Sequence, residues 1–139
     1  MKQKLTITEA DYRQFHDLIF MMLPQVDNRM KEKLSDFSHV LESARMVDSR
    51  QIPADIVTVG SKIELEDRDN GEVLEYAVVW PSEADPENGG ISVLSPVGMM
   101  LYGSKVGTAV NCEIPGGSKT FLIRKMLFQP ERDIRPTSA

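Results

Sequence analysis

The sequence predicts an α+β fold, with a short N-terminal antiparallel helical hairpin followed by a small antiparallel sheet around one short helix. Three observations carry this reading. Apolar residues in the first third recur at steps of three and four, the spacing of one helix face. Beyond Ser49–Pro53 the apolar period falls to two, the spacing of a half-buried strand. Asn70-Gly71 and Pro115-Gly116-Gly117 then supply the turn chemistry that strand hairpins need. The break divides the chain into two expected domains, 1–50 and 51–139.

Thr8 is the candidate N-cap of the first helix, with Asp11 three residues on in the capping-box position. Tyr12, Phe15, Ile19 and Met22 form its apolar stripe, widened by Leu18 and Leu23. Pro24 ends it, because the residue before proline is pushed out of helical geometry. Asp27 caps a second helix whose stripe is Met30, Leu34, Phe37, Leu41 and Ala44. The link Pro24–Asn28 is short, so the helices run antiparallel. Each has about four turns and reaches roughly 22–26 Å. His16 and His39 have no second ligand at metal spacing and read as surface or packing residues.

In the second part, Ile56–Val59 is expected as a compact apolar strand, and Ile63–Glu66 as an alternating one. Asp69-Asn70-Gly71 turns the chain, and Val73–Trp80 returns. Pro81–Gly90 is a loop, and Ile91–Leu94 a further short strand. Ser95-Pro96 opens a helix, with serine as cap and proline where its missing N–H costs nothing. Val97, Met100 and Leu101 face the sheet, and Gly103 ends the helix. Ala109–Ile114 and Lys119–Phe128 are the last two strands, and the tail from Gln129 is expected to be loose.

The chain has 139 residues, and its 16 Lys+Arg against 21 Asp+Glu give a net charge of -5. That balance argues against a dedicated DNA-wrapping or membrane-surface protein. The charge is uneven: residues 1–50 sum to zero, 55–87 to -8 and 105–135 to +3. The acidic stretch fits the solvated face of a sheet, or a surface steered toward a basic partner. No run reaches a membrane span, and the N-terminus lacks a signal-peptide pattern. The single cysteine, Cys112, excludes an internal disulfide and a zinc cluster, so a cytoplasmic setting is expected.

Catalytic patterns are missing from the sequence. There is no phosphate loop, no nucleophile elbow and no dinucleotide glycine pattern. Cys112 reads as a small buried strand residue. Glu64, Glu66, Glu72 and Glu75 lie on an exposed alternating face, with nothing to desolvate them into an acid/base pair. Catalytic residues, metal and cofactor are therefore all expected to be none.

The stretch from Ile91 through Ser95-Pro96, Gly103 and Val106-Gly107 to Ile114-Pro115-Gly116-Gly117 resembles the C-terminal domain of Gre-type transcript cleavage factors. Elements match in order and spacing over most of residues 55–128. Ile52–Val59 and Asp69–Glu72 look like the Rnk branch of that family, regulators of nucleoside diphosphate kinase with a shortened, coiled-coil-like hairpin. The resemblance implies an FKBP-like antiparallel sheet wrapped on one short helix. It also implies docking on bacterial RNA polymerase at the rim of the secondary channel. The family's contact surface maps to Ser95 and Pro96, with Val97 and Met99 beside them.

Cleavage factors of the family carry two acidic residues at the tip of a long hairpin, a pair suited to Mg²⁺ and a nucleophilic water. The tip here is Gln25, Val26, Asp27 and Asn28 after Pro24, with one carboxylate. A non-catalytic regulator that competes with cleavage factors is therefore expected. The alternatives are an active cleavage factor, or an FKBP-like prolyl isomerase or binding module. No sequence-specific DNA contact or membrane association is expected, and Met21, Met22 and Leu23 suggest a homo-oligomer through the hairpin.

Overall fold

Thr8 converts an extended segment into a helix. A computed structural model describes residues 5–114 and 116–134, in two units that divide between Ile52 and Pro53. In the first unit, strand β1 (Thr6–Thr8) leads directly into helix α1 (Glu9–Met22). The Thr8 hydroxyl accepts the Asp11 N–H at 3.1 Å. One turn of 3-10 helix at Leu23–Gln25 absorbs Pro24. Asp27 Oδ1 then accepts the Met30 N–H at 2.9 Å and starts helix α2 (Asn28–Glu42). Both expected caps are present.

Phe15 and Ile19 of α1 and Leu34, Phe37 and Leu41 of α2 are buried. The Phe15 and Phe37 rings meet edge to face, 5.4 Å apart at 82°. That arrangement adds about 0.5–1.5 kcal/mol to the burial itself. Strand β2 (Arg45–Val47) then pairs in parallel with β1. This small ladder was not expected. Three residues per strand are too few to show a period.

The second unit is a five-stranded sheet in the spatial order β5 (Gly90–Ser92), β4 (Val73–Val79), β3 (Lys62–Asp67), β7 (Gly117–Phe128), β6 (Ala109–Ile114). Strands β3, β4, β6 and β7 are antiparallel to their neighbours among these four. Gly71, at φ +77, makes the β3–β4 turn. One face is the core, built from Ile63, Leu65, Val78, Val110, Cys112, Phe121 and Ile123. Helix α3 (Pro96–Leu101) contacts β5 and β6 and buries Leu101.

Four expectations need correction. The sheet is not wholly antiparallel, because β5 (Gly90–Ser92) runs parallel to β4. It also stops at Ser92, and Val93 and Leu94 enter a turn. Ile56–Val59 is buried throughout, yet it forms only one bridge, Ile56 to Lys105. The Val57 backbone bonds to the 103–104 loop at 2.8 and 2.9 Å instead, so the apolar run reflects burial and not a ladder.

Strand β7 is interrupted twice against β3, where Glu64 faces Lys125 but Leu65 faces Ile123. The extra residue, Arg124, explains why Arg124 and Lys125 sit side by side in an otherwise alternating strand. Lastly, the segment after β7 is ordered as far as it is described. Gln129 is buried and donates to the carbonyls of Pro53 and Ile56 at 2.9 and 2.7 Å. Helix α4 (Pro130–Asp133) follows, and the Thr58 hydroxyl donates to Glu131 at 2.6 Å. Pro115 and Pro136 lie outside the described residues.

Candidate functional site

The corner between β5 and α3 carries Ser95, Pro96, Val97 and Met99 together. Val93 N–H donates to Val79 O at 2.7 Å, which ties the corner to the edge of β4. The chain then reverses, and Ser95 N–H donates to Ser92 O at 3.0 Å. The Ser95 hydroxyl accepts the Gly98 N–H at 3.1 Å and donates to the same Ser92 carbonyl at 2.6 Å. Pro96 occupies the first helical position, where no N–H is wanted. Pro96, Val97 and Met99 are half-buried, so an apolar surface crosses this short helix.

Gly98 holds the helix against the sheet. A Cβ there would stand 2.0 Å from Ser92 O and 2.9 Å from Val93 Cα. No side chain fits, and the approach of α3 to β5 depends on glycine. The sequence showed this glycine without its reason, because the contact is to backbone and leaves no apolar pattern.

The other candidate residues lie at the helical tip of the first unit. Gln25, Asp27 and Asn28 are exposed and Val26 is half-buried. Gln25 Nε2 donates to Met21 O at 3.2 Å. Asp27 is the tip's carboxylate, and one of its oxygens is engaged as the α2 cap. Phe20 and Met21, at the end of α1, are 74% and 67% exposed.

The acidic stretch resolves into two environments. Glu64, Glu66 and Glu75 alternate to the outer face of the sheet. There Lys62 approaches Glu75 at 3.4 Å and Arg124 approaches Glu64 at 3.6 Å. The exposed Lys62–Glu75 pair contributes about 0–1 kcal/mol, whereas Glu64 is half-buried. Asp67 differs. Its side chain is 1% exposed, accepts from Lys119 Nζ at 2.7 Å and from the Asp69 N–H at 2.9 Å. The Lys119 ammonium, helped by that N–H, holds its carboxyl below the usual value. Asp67 belongs to the acidic 55–87 stretch that the charge count reads as a solvated or partner-facing surface; the alternation of β3 instead places it on the inner side with Ile63 and Leu65.

Cys112 is buried, and desolvation pushes its thiol up to about 11. The His16 and His39 side chains are 66% and 77% exposed. A shallow depression on the second unit is lined by Ala54, Asp55, Val106, Arg124, Lys125, Met126 and Arg132. Its cations are largely answered: Arg132 pairs with Asp133 at 2.7 Å and Arg124 with Glu64.

The sheet unit that carries this corner has relatives among known proteins. Residues 52–126 match the family described as transcription elongation factor, GreA/GreB, C-terminal. The transcription elongation factor GreA of Clostridium beijerinckii is 43% identical over 91 residues, covering 66% of this chain and 57% of that protein. GreA of Clostridium perfringens is 45% identical over 89 residues, covering 64% and 56%. The chain therefore spans little more than half the length of these relatives. A solved structure of a prokaryotic GreA/GreB elongation factor from Nitrosomonas europaea superposes with a TM-score of 0.73 at 25% identity, over 91% of this chain and 100% of that one. With more than half of its residues in that match, the chain belongs to the GreA/GreB transcription elongation factor family through its C-terminal domain.

Proposed function

We propose that this protein is a non-catalytic regulator that binds bacterial RNA polymerase at the secondary-channel rim and competes there with Gre-type factors. Family membership supports the polymerase as partner. The apolar Pro96, Val97 and Met99 surface on a helix fixed by Ser95 and Gly98 supports docking through α3. A polymerase partner in turn supports a cytoplasmic location; among the described residues no helix is long and apolar enough to cross a membrane.

The observation that carries the non-catalytic reading is Asp27. It is the carboxylate of the 25–28 tip, and its Oδ1 is engaged by the Met30 N–H. A metal ion activating water on phosphodiester chemistry calls for at least a pair of convergent carboxylates. The 14 residues of α1 span about 21 Å, a short reach for a factor acting at a distance. These features also support the finer placement in the Rnk branch with its shortened hairpin.

The test is a pull-down with core polymerase, followed by competition with an active GreA. Binding that Pro96→Ala weakens about tenfold fits the proposal. Undiminished binding by Pro96→Ala and by Met99→Glu would remove α3 from the contact.

A further inference from the structure

The Ser95 hydroxyl has one proton to donate and lone pairs to accept with. Its proton goes to Ser92 O at 2.6 Å, the shortest bond of the corner. It accepts the Gly98 N–H at 3.1 Å. The same Ser92 carbonyl takes the Ser95 N–H at 3.0 Å and lies against the Gly98 backbone where a Cβ would sit at 2.0 Å. Ser92 contributes once more, its own hydroxyl accepting the Leu94 N–H at 3.1 Å. Two residues, Ser95 and Gly98, thus close on the Ser92 carbonyl, and the hydroxyl's donor is spent inside the chain.

We infer that Ser95 is a positioning residue and not a contact residue: with Gly98 it clamps α3 to the Ser92 carbonyl, and the partner meets only the apolar Pro96, Val97 and Met99 surface. This rests on the docking reading given above and changes the chemistry that it assigns. The complementary site on the polymerase is apolar, with no acceptor aimed at the serine, whose one proton is already given to Ser92 O. The helix is six residues long; buried Leu101 and the 103–104 loop anchor its far end, and this clamp holds its first turn. Pro96 can be presented correctly only while the first turn is held.

Three variants of the full chain separate positioning from contact. In each, affinity for core RNA polymerase is measured together with amide hydrogen exchange at Gly98 in the free protein. Ser95→Thr keeps both hydroxyl bonds and should bind within about twofold of wild type, with Gly98 protected. Ser95→Ala should expose the Gly98 amide, speed its exchange, and weaken binding about tenfold. Gly98→Ala buries its change away from any partner and should also weaken binding; if it fails to fold, the two serine variants decide alone.

The inference is overturned if Ser95→Ala binds like wild type despite faster Gly98 exchange. It is equally overturned if Ser95→Thr loses binding while Gly98 stays protected, since the hydroxyl's site would then touch the partner. Lack of binding by the wild type would instead contradict the docking reading itself, and this inference with it.

Discussion

At the scale of single residues, one buried carboxylate stands out beside Ser95. Asp67 and Lys119 join the end of β3 to β7 through a 2.7 Å contact. Because the folded carboxyl lies below its ordinary 3.8, this stabilisation is complete above that value and is lost as pH falls through the folded value. Asp67→Asn should therefore lower the Tm at pH 7, and its deficit should shrink in acid below pH 3.8. Thermal melts across pH check this; a deficit that stays constant into acid would exclude the pair as its source. Gly98→Ala should destabilise the second unit by about 1–3 kcal/mol, the usual range for overpacking, in urea unfolding. Cys112, with its thiol pushed up to about 11, should resist alkylation at pH 8 until the protein unfolds.

At the scale of elements, helices α1, α2 and α3 were legible and the segments flanking the sheet, α4 included, were not. Thr8, Asp27 and Ser95 each cap the helix that their position in the sequence announces. Capping is local chemistry, so it can be read locally. Asp27→Ala should cost about 1 kcal/mol in the first unit, measured by loss of helical signal on heating. By contrast, the parallel pairing of β5 with β4 joins residues that no turn motif links. The order of Gln129 to Asp133 depends on carbonyls at Pro53 and Ile56, more than seventy residues away. Truncation after Phe128 should accordingly lower the Tm and speed amide exchange in the 53–58 segment. Unchanged exchange there would mean that the clamp does not hold that segment. The site itself was half legible: Ser95-Pro96 announces a helix start, but nothing local announces that Ser92 O binds the serine or that Gly98 fits only without a side chain.

At the scale of the whole molecule, the net charge of -5 conceals an uneven distribution. Part of the acidity of residues 55–87 is answered inside the second unit, where Lys62, Lys105, Lys119 and Arg124 each meet a carboxylate. With the net charge at -5, binding to bare DNA should be weak at physiological salt. The central claim is that this family member keeps the polymerase dock and does not stimulate cleavage. The most direct measurement uses stalled elongation complexes given this protein, with and without an active GreA, and reads transcript length. The account predicts full-length transcripts with this protein alone, and slower shortening by GreA as its concentration rises. Shortened transcripts on adding this protein by itself would contradict it.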